Sequence, residues 1–130
     1  MMKKTFYLLI VMIILLGMVP VPAAAKKGTG MYIPEITGSG GTGVDKNRFT
    51  IFVPVVDTEG NPVANAKVVA STDGNPKTAT AYTGADGVAL FLIYTYAFSL
   101  EFTVENVVKP GYIYLPAQSD TYIYLYLFVP

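Results

Sequence analysis

Residues able to do chemistry are few and narrow in type. The 130-residue chain contains no His and no Cys, which removes thiol chemistry, His-based triads and most transition-metal sites. Carboxylates and hydroxyls remain. Asp57, Glu59, Asp73, Asp86 and Asp120 all fall in predicted turns. Calcium is bound by turn carboxylates together with backbone carbonyls, so Asp57, Glu59 and Asp86 are candidate ligands for a structural calcium ion. No D-x-[DN]-x-[DN]-G loop accompanies them. Asp is also a turn former in its own right, because its side chain bonds nearby amides. No other cofactor is expected.

Glu101 and Glu105 are the one carboxylate pair that could suggest acid–base machinery. Four apart on a strand, they share a face at about 13 Å, beyond the roughly 5–9.5 Å of glycosidase pairs. They read as a solvated face. Ser and Thr have no His partner, and neither a P-loop nor a G-x-S-x-G occurs. The chain is expected not to be an enzyme.

The aromatic pattern points to recognition instead. Seven of ten tyrosines lie between Tyr94 and Tyr126. In the final run, period two places Tyr122, Tyr124, Tyr126 and Phe128 on one face and Ile123, Leu125, Leu127 and Val129 on the other. A surface strand ordinarily keeps one polar face. Here one face suits a core and the other suits an interface, since Tyr combines a large apolar area with a polar tip. A solvated ladder stabilised by cross-strand pairs is the plainer reading of the same pattern.

These residues must be positioned by something, and the elements read from the N-terminus as follows. Lys3 and Lys4 precede an apolar run from Phe6 to Val19, closed by Pro20, Pro22 and Ala23-Ala24-Ala25. That is the form of a secretory signal peptide, expected to cover residues 1–25 with cleavage after Ala25. Contact with a membrane is then expected only through this segment before cleavage. An uncleaved anchor is the alternative. Cleavage leaves seven basic and nine acidic residues, with no basic stripe, so nucleic acid is not an expected partner. A secreted, extracellular or cell-surface location follows. Without Cys, no disulfide can staple the fold.

Residues 26–47 hold six of the twelve glycines around the apolar island Met31-Tyr32-Ile33-Pro34-Glu35-Ile36. Gly-rich flanks behave as flexible coil, so the spacing predicts a flexible arm with a sticky patch. Tyr32, Ile33 and Ile36 are its candidate assembly residues. From residue 48 onward the pattern is β. Phe49, Ile51, Val53 and Val55 alternate along a first strand, and Asp57 to Pro62 turn the chain. Further strands are predicted over 66–71, 77–82, 88–93, 100–105, 112–115 and 121–129. Seven short strands at this spacing are the rhythm of an antiparallel Ig-like sandwich over 48–130. Val88 to Ile93 is apolar almost throughout, and no sustained helical period occurs.

Asp57-Thr58-Glu59-Gly60-Asn61-Pro62-Val63-Ala64-Asn65-Ala66-Lys67-Val68 resembles the D-x-x-G-x-P-V-x-x-A-x-V opening of carboxypeptidase-regulatory-like, or prealbumin-like (transthyretin-like), domains. Thr83-Gly84-Ala85-Asp86-Gly87-Val88-Ala89-Leu90 resembles their second, T-D-x-D-G-x-A-x-F signature, and Gly111-Tyr112 falls where many members carry a G-Y pair. The resemblance implies a seven-stranded prealbumin-like sandwich used as a spacer, an adhesion or carbohydrate-associated module, or a subunit of a surface structure. Related surface domains sometimes carry a Lys–Asn isopeptide bond. Lys46 lies near the first strand, but the last strand has no Asn, so none is expected.

The expected function is that of a secreted structural protein that assembles with copies of itself. Strand addition from the arm would give a pilus- or thread-like filament. The alternative is a monomeric carbohydrate-binding or adhesion module that stacks glycans on its tyrosines.

Overall fold

The computed structural model describes residues 28–127. The expected signal segment at 1–25, its cleavage point and Phe128 lie outside the described residues. The fold is all-β, and its sheets are mostly antiparallel.

Ten strands occur among the described residues, where the pattern predicted seven. The larger sheet follows the order β10 (Tyr122–Tyr126), β8 (Ser99–Val108), β5 (Lys67–Thr72), β6 (Thr78–Tyr82). The second follows β2 (Thr37–Gly41), β3 (Asn47–Pro54), β7 (Val88–Thr95). A third, small sheet follows β4 (Val56–Asp57), β1 (Thr29–Tyr32), β9 (Tyr112–Tyr114). The extra elements are β1, β2 and β4: two come from the arm, and β4 continues β3 past Val55.

Alternation drives the core. Phe49, Ile51 and Val53 of β3 and Ala89, Phe91 and Ile93 of β7 point inward, against Val68 and Ala70 of β5 and Leu100, Phe102 and Val104 of β8. Phe91 and Phe102 join the two sheets edge to face, with ring centroids 5.0 Å apart at 65°, a favoured aromatic geometry. A β-bulge sits where Val69 faces Asn106 but Ala70 faces Val104. The extra residue flips the alternation, so that both Glu105 and Asn106 face out and Val107 returns to the core.

The expectation of a flexible arm does not hold for residues 29–41. β1 lies between β4, antiparallel, and β9, parallel; β2 pairs antiparallel with β3 through five residues. Met31 and Ile33 are fully buried and Ile36 nearly so. The physical reason lies in what the glycines face. A Cβ on Gly38 would sit 2.8 Å from Leu125 Cδ1 and 2.9 Å from the Thr50 carbonyl oxygen. One on Gly40 would sit 2.7 Å from the Phe49 ring and 2.8 Å from Leu127 Cδ2. These glycines leave space for the apolar row of β10; they do not loosen the chain.

Turn chemistry closes the loops. Asp57 Oδ1 accepts bonds from the amides of Glu59 and Asn61, each at 2.9 Å. Gly87 has φ +78°, and a Cβ there would sit 3.0 Å from the Val55 carbonyl oxygen, so the residue after Asp86 must be Gly. Buried Thr83 ties the resemblance segments together. Its Oγ1 accepts from the Ala66 amide at 2.8 Å and donates to the Val63 carbonyl at 2.6 Å.

Candidate assembly and ligand-binding surfaces

The outward face of the larger sheet is polar, with tyrosines along its edge. Tyr122, Tyr124 and Tyr126 are 47%, 51% and 67% exposed, while Ile123, Leu125 and Leu127 pack against the core. Tyr124 stands opposite Glu101 and Tyr122 opposite Thr103. Beside them, Ser71, Thr72, Asp73, Glu101 and Thr103 line a depression of about 200 Å³. Asp73 Oδ1 accepts from the Glu101 amide at 2.9 Å, and Ser71 Oγ donates to Glu105 Oε2 at 2.6 Å. Partial desolvation, then the charge of Glu101, neighbouring Tyr124 and Asp73, hold the Tyr122 hydroxyl above its ordinary pKa. The tyrosine row and a group of hydroxyls and carboxylates thus share one surface. In the sequence Asp73 lies in a turn and Glu101 and Glu105 on a separate strand, so their spacing gives no sign of that grouping.

The outward face of the β2–β3–β7 sheet has the opposite character. Phe52, Leu90, Leu92 and Tyr94 are 41%, 51%, 45% and 39% exposed. They are contiguous, because Phe52 pairs with Leu90 and Thr50 with Leu92 across β3 and β7. Sequence reading did not select these residues. The signal was present in the uniformly apolar run from Val88 to Ile93: β7 alternates buried and exposed positions yet has no polar face.

The arm residues have moved from surface to core. Ile33 and Ile36, expected as a free patch, fill this chain's own interior, and Tyr32 is half-buried. The Ile33 amide donates to Ser119 Oγ at 3.0 Å, the Ile36 amide to Asp120 Oδ2 at 2.8 Å, and the Asp120 amide returns a bond to the Ile33 carbonyl at 2.9 Å. Asp120 is therefore a clamp for the arm.

Of the calcium candidates, Asp57 and Asp86 both spend a carboxylate oxygen on turn amides; Asp86 Oδ1 accepts from Val88 at 3.0 Å. Asp57, Glu59 and Asp86 do not converge into one group able to hold an ion.

Comparison with known proteins finds no matching family model, no matching curated protein and no matching solved structure.

Proposed function

We propose that this chain is a secreted structural protein of the cell surface, a single β-sandwich that assembles with copies of itself. The observation that carries the reading is the exposed apolar row Phe52, Leu90, Leu92 and Tyr94 on a domain whose core is already filled. Contiguous apolar surface of this kind marks an interaction site. The prealbumin-like resemblance at 57–90 fits such use, because domains of that type serve as modules of surface structures.

A filament would be joined by strand addition. β1 fills a slot between β4 and β9 with main-chain bonds on both sides and Met31 buried beneath it. The exposed Pro34-Glu35 link separates it from β2. Exchange of β1 into the slot of the next copy keeps every one of these contacts, and head-to-tail repetition gives an open chain. The test uses the absence of native Cys. Tyr32 and Val56 are antiparallel register partners, about 4.5–5.5 Å apart at Cα, within disulfide range. A Tyr32→Cys, Val56→Cys protein oxidised after assembly should run as a ladder on a non-reducing gel. Closure within single chains alone would contradict strand exchange.

A second reading is favoured by one observation, the depression of Ser71, Asp73, Glu101 and Thr103 beside Tyr122 and Tyr124. Sugars need an aromatic platform and convergent polar groups, and this surface offers both. Glycan-array binding lost on Tyr122→Ala and Tyr124→Ala would support a carbohydrate-binding module.

A further inference from the structure

We propose that the outer face of β2–β3–β7 receives a second copy of this chain, packed sheet against sheet with the strands reversed. The proposal rests on the self-assembling reading above and names its geometry. The face is apolar in the middle and oppositely charged at its two ends. Phe52, Leu90 and Leu92 form the middle. At one end, Arg48 pairs across to Tyr94, and both line a depression of about 300 Å³ with Lys46. At the other, a depression of about 480 Å³ beside Phe52 and Val88 is rimmed by Glu35 and Asp86. Arg48 and Pro54 bound this length of β3, six residues or about 20 Å apart.

That polarity selects one arrangement. If two copies met with strands running the same way, Arg48 would face Arg48 and Glu35 would face Glu35. A half-turn about an axis between the sheets and across the strands reverses one copy. Arg48 and Lys46 of each then meet Glu35 and Asp86 of the other. The axis passes over the in-register pair Ile51 and Phe91, whose side chains point into the core. Leu90 of one copy then meets Leu92 of the other, and Phe52 covers Thr50. The contact is isologous and closed, and aligned sheets with a twist of about 30° pack this way routinely. Guanidinium–carboxylate contacts at the rim fix the register. Three strands, of five, eight and eight residues, cover at most about 15 by 26 Å, below the ~800 Å² per partner of a standard interface. The pair is therefore reversible and concentration-dependent, a lateral contact rather than a permanent dimer.

Sedimentation equilibrium of the purified protein tests this, with circular dichroism to confirm that each variant is folded. Leu92→Lys should weaken the pair at least tenfold. Arg48→Glu alone and Glu35→Arg alone should each weaken it about tenfold, since each places like charges together at both rims. Mixing the two variants should restore association to within a few-fold of the original, because each rim then regains an opposite pair. If Leu92→Lys weakens association but mixing restores nothing, the reversed orientation is overturned while self-assembly stands. If association ignores Leu92→Lys, the face proposal is overturned and assembly runs through another surface. A protein that stays monomeric at every concentration overturns both.

Discussion

Asp120 and Ile36 lie 84 positions apart, yet the Ile36 amide donates to Asp120 Oδ2 at 2.8 Å. With Ser119 and the Asp120 amide serving Ile33, this contact binds the start of the described chain to the turn before its last strand. Closing so long a loop is costly in entropy, and the buried side chains of Met31, Ile33 and Ile36 offset that cost. In an exchanged arrangement the Ser119 hydroxyl and the Asp120 amide would hold Ile33 of the neighbouring copy in the same way.

Asp120→Ala should therefore destabilise the domain by about 1.5–3 kcal/mol, the range for a hydrogen bond to a charged group. Amide exchange should accelerate over residues 29–36 before it does in β5 or β8. Uniform acceleration across all strands would show that Asp120 is not specific to the arm.

Gly38→Ala separates a packed strand from a loose one. In a coil that is loose in both states the substitution leaves stability unchanged, and in an ordered strand with room for a methyl it stabilises by about 0.4–1 kcal/mol through the unfolded state. Here the added methyl meets Leu125 and the Thr50 carbonyl at 2.8 and 2.9 Å, and overpacking costs about 1–3 kcal/mol. Thermal melting should show a lower Tm; an unchanged or higher one would contradict the packing of β2 against β10.

These two positions show what was legible. The strands of residues 48–126 and the inward rows of Phe49, Ile51 and Val53, or Leu100, Phe102 and Val104, were readable from alternation alone. So was the split of the last strand into Leu125 inside and Tyr124 outside. The arm was misread because glycine has two meanings: freedom for the chain, or room for a neighbour. Only the position of Leu125 and Leu127 tells them apart. The apolar face was hidden for a related reason. A run such as Val88 to Ile93 fits a strand buried on both sides, and whether a second layer covers Leu90 and Leu92 is a property of the tertiary fold.

Thr83→Val keeps the shape of a buried residue and removes its hydroxyl. The Ala66 amide and Val63 carbonyl would then lose their partner. Unsatisfied buried groups cost about 1–3 kcal/mol each, so a loss of roughly 2–4 kcal/mol is expected in urea unfolding with an unchanged m-value. Thr83→Ser should recover most of it. A loss below 0.5 kcal/mol would show that water replaces the hydroxyl.

Tyr114 gives the alkaline limb of stability. Its hydroxyl is buried and makes no well-formed hydrogen bond; Ser119 Oγ beside it is engaged with Ile33 and Leu115 and offsets the effect of burial only in part. Burial raises its pKa above the ordinary 10.0. The folded state thus holds this proton more tightly than the unfolded chain does. Stability from this group is intact below about pH 10 and falls as pH rises through the raised value. Tyr114→Phe should flatten that fall and leave neutral-pH stability unchanged or about 1 kcal/mol higher. An alkaline transition identical in the variant would place its origin in other tyrosines.

Self-assembly is tested most directly by electron microscopy of the purified protein, prepared across a range of concentrations. The account predicts filaments one sandwich wide that lengthen and associate side by side as concentration rises, with Leu92→Lys filaments remaining single. A uniform field of isolated single-domain particles at every concentration would contradict it.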